Sequence, residues 1–191
     1  MREWSGDEGG LTKGRLAAFL IALGGSAVFG LVAGLIWAAV APRALLQEIA
    51  SGEAELVNAE SAAFILADAW FALITAVGGL ITGTLGYRLL VRRAGAAATA
   101  GLVLGAVVAA LLAMWVGDNI GLGTYNHLLA SSPAGTVFHS SLALGAKSVL
   151  AFWPLCTAGV ILLAEMGARR SGHARGRHAS AGEDDPDGHA P

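Results

Sequence analysis

The chain has 191 residues, of which 55% are hydrophobic and 14% charged, with a formal net charge of -2. Soluble domains carry about 25% charged residues, so a soluble domain of this size could not cover its surface with so few. The arithmetic excludes a disordered chain, a nucleic-acid binder and an ordinary cytosolic enzyme, and it describes a membrane protein.

Residues 1–14, with Arg2 and Lys13, read as a mobile N-terminal segment ahead of a transmembrane domain spanning 15–168. From Leu16 to Ala41 no Asp, Glu, Lys, Arg, His, Asn or Gln occurs. A bilayer core needs about 20 apolar residues, so a first span is placed at about 16–40. Its length also argues against a cleaved signal peptide, whose apolar core is about 7–15 residues. Pro42 and Arg43 open the first loop, which carries Glu48, Glu53, Glu55 and Glu60. A second span is expected at about 62–87, interrupted by Asp68, and a third at about 95–117. The next loop holds Asp118, Asn119, His127 and His139. A fourth span at about 142–165 is interrupted by Lys147 and contains Trp153-Pro154, where proline should kink the helix. Residues 169–191 are rich in Gly, Ser, Ala, His and charge, and are expected to form a disordered tail. The fold class is therefore all-α, a polytopic four-transmembrane-helix bundle.

Direction follows from the basic residues. Arg2, Lys13, Arg15, Arg88, Arg92, Arg93, Arg169, Arg170, Arg175 and Arg177 fall before the first span, between the second and third, or after the fourth. The positive-inside rule puts these segments, and both termini, in the cytoplasm at the cell membrane. Arg169, Arg170, Arg175 and Arg177 should favour anionic lipid headgroups. Trp37, Trp70 and Trp115 each lie 22 residues from an arginine. That is roughly 33 Å along a helix, which predicts an aromatic belt at the outer interface.

Lipid supplies no hydrophobic drive for helix association, so small residues must allow close contact. Ala22, Ser26, Gly30, Gly34 and Ala38 recur every fourth position in the first span. Ala97, Gly101, Gly105, Ala109, Ala113 and Gly117 do so in the third, and Thr75, Gly79 and Gly83 line the second. Gly30, Gly34, Gly79, Gly83, Gly101 and Gly105 are the expected packing positions, with Ser26 among them.

Asp68 and Lys147 are the two ionisable residues that break apolar runs, and such residues are functional candidates by default. Counted from the arginines they lie at matching depth near the outer interface, which predicts an ion pair. The alternative is that Lys147 snorkels while Asp68 caps or is solvated. No HExxH, GxSxG or CxxC motif occurs, so no catalytic residue, metal ligand or cofactor is assigned. Ser26, Thr75, Thr82 and Thr157 would line any polar path through the bundle.

Three segments carry a resemblance: Gly34–Arg43 (GLIWAAVAPR), Glu60–Leu73 (ESAAFILADAWFAL) and Leu142–Leu155 (LALGAKSVLAFWPL). Over roughly residues 15–165 the chain resembles a family of actinobacterial four-span membrane proteins without an assigned activity. That family has glycine after its aspartate, whereas Ala69 follows Asp68 here. The resemblance implies the membrane topology, supplies no mechanism, and directs attention to Pro42, Asp68, Lys147, Trp153 and Pro154. The expected function is a non-enzymatic envelope component that binds a membrane partner or itself. An oligomeric small-solute channel, and an outer-face enzyme using Asp68, His139 and Lys147, are the alternatives.

Overall fold

The computed structural model describes residues 8–50, 53–56, 62–131, 133, 135–142 and 144–181. Its elements in order are α1 (Glu8–Val40), β1 (Leu45–Ala50), β2 (Glu53–Leu56), α2 (Ala63–Gly86), a π turn (Tyr87–Val91), α3 (Arg92–Ala94), α4 (Ala96–Asn119), α5 (Leu122–Ser131), β3 (Val137–His139), a 3-10 turn (Lys147–Ala151) and α6 (Phe152–Ala181). Among the described residues four helical segments are long and apolar enough to cross a membrane: Thr12–Val40, Ala63–Ala94, Ala96–Ser131 and Lys147–Arg170. The chain is an all-α multi-pass membrane bundle.

The helices form two close pairs. In α1 and α4 the small-residue stripes face each other. A Cβ added to Gly30 would lie 2.5 Å from the Ala109 carbonyl oxygen, and one on Gly34 2.6 Å from that of Ala113. From the opposite side, a Cβ on Gly101 would lie 2.6 Å from the Phe19 carbonyl oxygen, and one on Gly105 2.9 Å from the Ser26 side chain. Backbone meets backbone along this seam, the geometry that small-xxx-small spacing permits. The second pair is α2 with α6, where a Cβ on Gly79 would lie 2.6 Å from the Trp153 carbonyl oxygen and one on Gly83 3.1 Å from Val160. Leu, Ile and Val crowd the outward faces, as lipid contact requires.

The two ends of the bundle differ. At one end, α1 stops before Pro42, which disfavours helix in the residue ahead of it and offers no N–H. The Arg43 guanidinium donates to the Ala38 carbonyl at 2.9 Å and satisfies the frayed turn. Beyond it the chain builds a three-stranded antiparallel sheet, order β2-β1-β3, with Leu46 opposite both Leu56 and Phe138. Tyr125 of α5 packs edge-on against Phe138, ring centroids 5.9 Å apart. At the other end α2 passes through the π turn and α3 to Gly95, whose φ of 58° only glycine adopts readily, and α4 begins. Arg88, Arg92 and Arg93 lie on this short link. We call these the sheet end and the arginine end.

The chain termini of the fold depart from expectation. The N-terminal segment 1–14 is helical from Glu8, and the tail 169–191 is helical to Ala181. Propagation from an established helix adds one hydrogen bond per residue, and no proline interrupts either extension. Residues 1–7 and 182–191, also expected to be mobile, lie outside the described residues.

Candidate functional site

Two polar clusters are set into this apolar frame. The first lies between α2 and α6. Buried residues on α2 recur as Ala67, Phe71, Thr75, Gly79, Thr82 and Gly83, and on α6 as Trp153, Thr157 and Ile161. The Trp153 indole N–H donates to Thr82 Oγ1 at 3.1 Å, and Thr82 Oγ1 lies 3.4 Å from Thr157 Oγ1. Thr157 in turn donates to the Gly79 carbonyl at 3.2 Å, and Thr82 to that of Gly78 at 2.8 Å. Each group that would be costly alone in hydrocarbon is thus paired across or within the seam. Gly78 leaves room for the indole, since a Cβ there would lie 2.9 Å from the ring. Thr75 and Ser26 bond back to their own helices, Thr75 Oγ1 to the Phe71 carbonyl at 2.8 Å and Ser26 Oγ to that of Ala22 at 2.9 Å. The four hydroxyls expected to line a polar path are therefore spent on packing.

The kink expected at Trp153 and Pro154 takes another form. Pro154 lies in the first turn of α6, after the 3-10 turn, where a missing N–H is cheapest. The irregularity is a change of helix type at the end of the span, and Trp153 is fully buried.

The second cluster closes the sheet end. Asp68, one turn into α2, accepts the Gly145 N–H at 3.0 Å and the Ala146 N–H at 2.8 Å, one on each carboxylate oxygen. Asp118, near the end of α4, takes a backbone hydrogen bond from Leu144, while its Oδ1 is buried without a partner. Two carboxylates from two helices therefore hold three successive backbone N–H groups of the segment that leads into α6. Gly145 is tightly seated, a Cβ there lying 3.1 Å from Asp68 Oδ2. Sequence spacing singled out Asp68 but not its partners. Backbone amides carry no signature in a sequence, and from the sequence Asp118 falls in the loop after the third span.

The expected Asp68–Lys147 ion pair does not form. Lys147 opens the 3-10 turn with its side chain exposed and is engaged in no ion pair among the described residues. Its own chain neighbours, the 145 and 146 amides, occupy the carboxylate instead. Charge-assisted bonds to fixed amides cost less side-chain entropy than holding a long lysine in place. Asp68→Ala is expected to lower stability by about 2 kcal/mol, since it removes two such bonds at a half-exposed site, whereas Lys147→Ala is near neutral. Thermal unfolding of single and double variants in one detergent checks this. A coupling energy near zero is expected, and a double variant more stable than Asp68→Ala alone would restore the ion pair.

The three expected belt tryptophans separate. Trp70 and Trp115 are 42% and 61% exposed on the lipid side. Trp37 is 0% exposed. Its indole N–H donates to the Ala67 carbonyl at 2.9 Å, and its ring meets Phe71 edge-on at 4.9 Å. The 22-residue spacing gives height along the helix but not facing. The facing was present in the sequence, because Trp37 continues the stripe from Ala33 to Ala41, both buried. Among the described residues no three of His, Cys, Asp and Glu converge as metal ligands, and His139 pairs with Leu45 in the sheet. No protein-family model, curated protein or solved structure matches the chain.

Proposed function

We propose that this chain is a non-catalytic assembly component of the cell membrane, with the arginine end in the cytoplasm and the sheet end presented outside to a second copy or a membrane partner. One observation carries the reading. The hydroxyls and indoles buried in the bundle are consumed by internal hydrogen bonds, while among the described residues β2 and β3 are the edge strands of the three-stranded sheet. Unpaired strand edges are templates for a partner chain. The asymmetric placement of arginine supports the orientation. Kinship with the actinobacterial four-span family belongs to the same proposal, resting on the three segments quoted above. An oligomeric channel has less support, because the faces left for further contacts are Leu-, Ile- and Val-rich. An outer-face enzyme has less still, because Asp68 is committed to backbone amides.

Ser131 ends α5 with an exposed side chain, and Cys156 is the sole cysteine. A Ser131→Cys, Cys156→Ser protein treated with a membrane-impermeant thiol–amine crosslinker is expected to give a discrete higher-mass species in intact cells, and none in inverted vesicles. Crosslinking in inverted vesicles alone overturns the orientation. A strictly monomeric, partnerless protein in both, and by native mass spectrometry, overturns the assembly role.

A further inference from the structure

At the arginine end a cavity of about 890 Å³ opens between α1 and the α3–α4 turn. This lies within the range of roughly 300–1,000 Å³ typical of ligand sites. Arg15 of α1 and Arg93 of α3 both line it, over Ala17, Ala18 and Ala97. Neither arginine is engaged in an ion pair among the described residues. A second, narrower cavity of about 180 Å³ follows the seam between α1 and α2 and is lined by Phe29, Leu85 and Leu102 among others. Ile21, Leu89 and Leu90 line both cavities, so the two adjoin. Leu89 and Leu90 belong to the π turn, a wide turn that recurs at functional sites. Gly25 lines the seam at an open position, where an added Cβ meets nothing within 4 Å.

We propose that this two-part cavity binds one anionic phospholipid from the leaflet at the arginine end, with its phosphate between Arg15 and Arg93 and an acyl chain along the α1–α2 seam. The charge at the mouth complements a phosphate, and the apolar trough behind it complements a chain. A free anion would leave the trough unfilled, and a zwitterionic lipid would leave the two guanidiniums without net compensation. Arg88 and Arg92 supply an internal contrast. They line a separate cavity of about 410 Å³ on the α6 side that shares no lining residue with the apolar seam. The inference is independent of the assembly reading.

The test uses delipidated full-length protein in mild detergent, titrated with phosphatidylglycerol, phosphatidylcholine or glycerol 3-phosphate and read by native mass spectrometry. Phosphatidylglycerol is expected to bind one to one and in preference to the other two. Arg15→Gln with Arg93→Gln should weaken it about 30-fold, from two arginine–headgroup contacts, while Arg88→Gln with Arg92→Gln leaves it near the wild-type value. Gly25→Leu fills the seam from an open position, so it should weaken phosphatidylglycerol binding without lowering the unfolding temperature, which keeps the test decisive if the arginine variants misfold. Equal binding of phosphatidylcholine, tight binding of glycerol 3-phosphate, equal loss in the Arg88/Arg92 variant, or full binding by Gly25→Leu would each overturn the site.

Discussion

Gly30→Ala is expected to lower the unfolding free energy by about 3 kcal/mol, while Gly24→Ala, six residues earlier on the same helix, changes it by less than about 0.5 kcal/mol. Both substitutions add one methyl group to α1, and both raise its intrinsic helix propensity. Only their surroundings differ. At Gly30 the new Cβ would stand 2.5 Å from the Ala109 carbonyl oxygen and 2.6 Å from its Cα, whereas at Gly24 it meets nothing within 4 Å. The obstruction at Gly30 is main chain, which cannot rotate away as a side chain can. The added methyl must therefore separate α1 from α4 along much of the seam, at the upper end of overpacking costs. Unfolding in a single detergent, followed by denaturant titration, compares the two directly. Equal stabilities would mean that the seam is held by something other than close backbone approach.

Trp37→Ala is expected to cost about 3–5 kcal/mol, the range for emptying a large buried aromatic site. The residue is wholly buried, packs edge-on against Phe71, and ties α1 to α2 through the Ala67 carbonyl. Trp37→Phe keeps most of the ring contact and loses the N–H, so it should cost nearer 1 kcal/mol for the hydrogen bond plus the lost volume. The site also makes a sharper test. Gly117 of α4 lies against the indole so closely that a Cβ there would collide with it. Gly117→Ala should therefore be strongly destabilising alone, yet neutral or favourable when combined with Trp37→Ala, where the methyl enters the vacated space. A double-mutant cycle measures that coupling, and simple additivity would refute the contact.

Much of this arrangement is legible in the sequence. Four apolar runs of sufficient length give the spans, and small residues at every fourth position give the faces that α1 and α4 bury. What the stripes do not specify is partnership. The first and third spans carry similar patterns, and any pair of such faces could meet. Depth was better encoded than direction, which is why Trp70, Trp115 and Trp37 read alike while only the first two face outward. Asp68 shows the same limit on a smaller scale. The buried face of α2 runs through Ala67, Phe71, Thr75 and Gly79, and Asp68 lies one residue off it. Asp68 consequently sits at the edge of the bundle, where amides of the incoming chain reach it before Lys147 does. The sheet was hardest to foresee. Its strands are short and its partners distant in sequence, and such pairing depends on context more than on local preference.

The interleaving of the two close helix pairs bears on how the protein is made. The first span packs its glycine face on the third, and the second packs on the fourth. A nascent chain that has delivered only its first hairpin therefore holds two helices whose best partners have not yet been synthesised. Until the second hairpin enters beside them, the glycine faces of both lack the partners they have in the folded bundle. Cutting the chain at the arginine link would leave each half in that same state, with one member of each pair, so the two halves could reach the native packing only by finding one another in the bilayer.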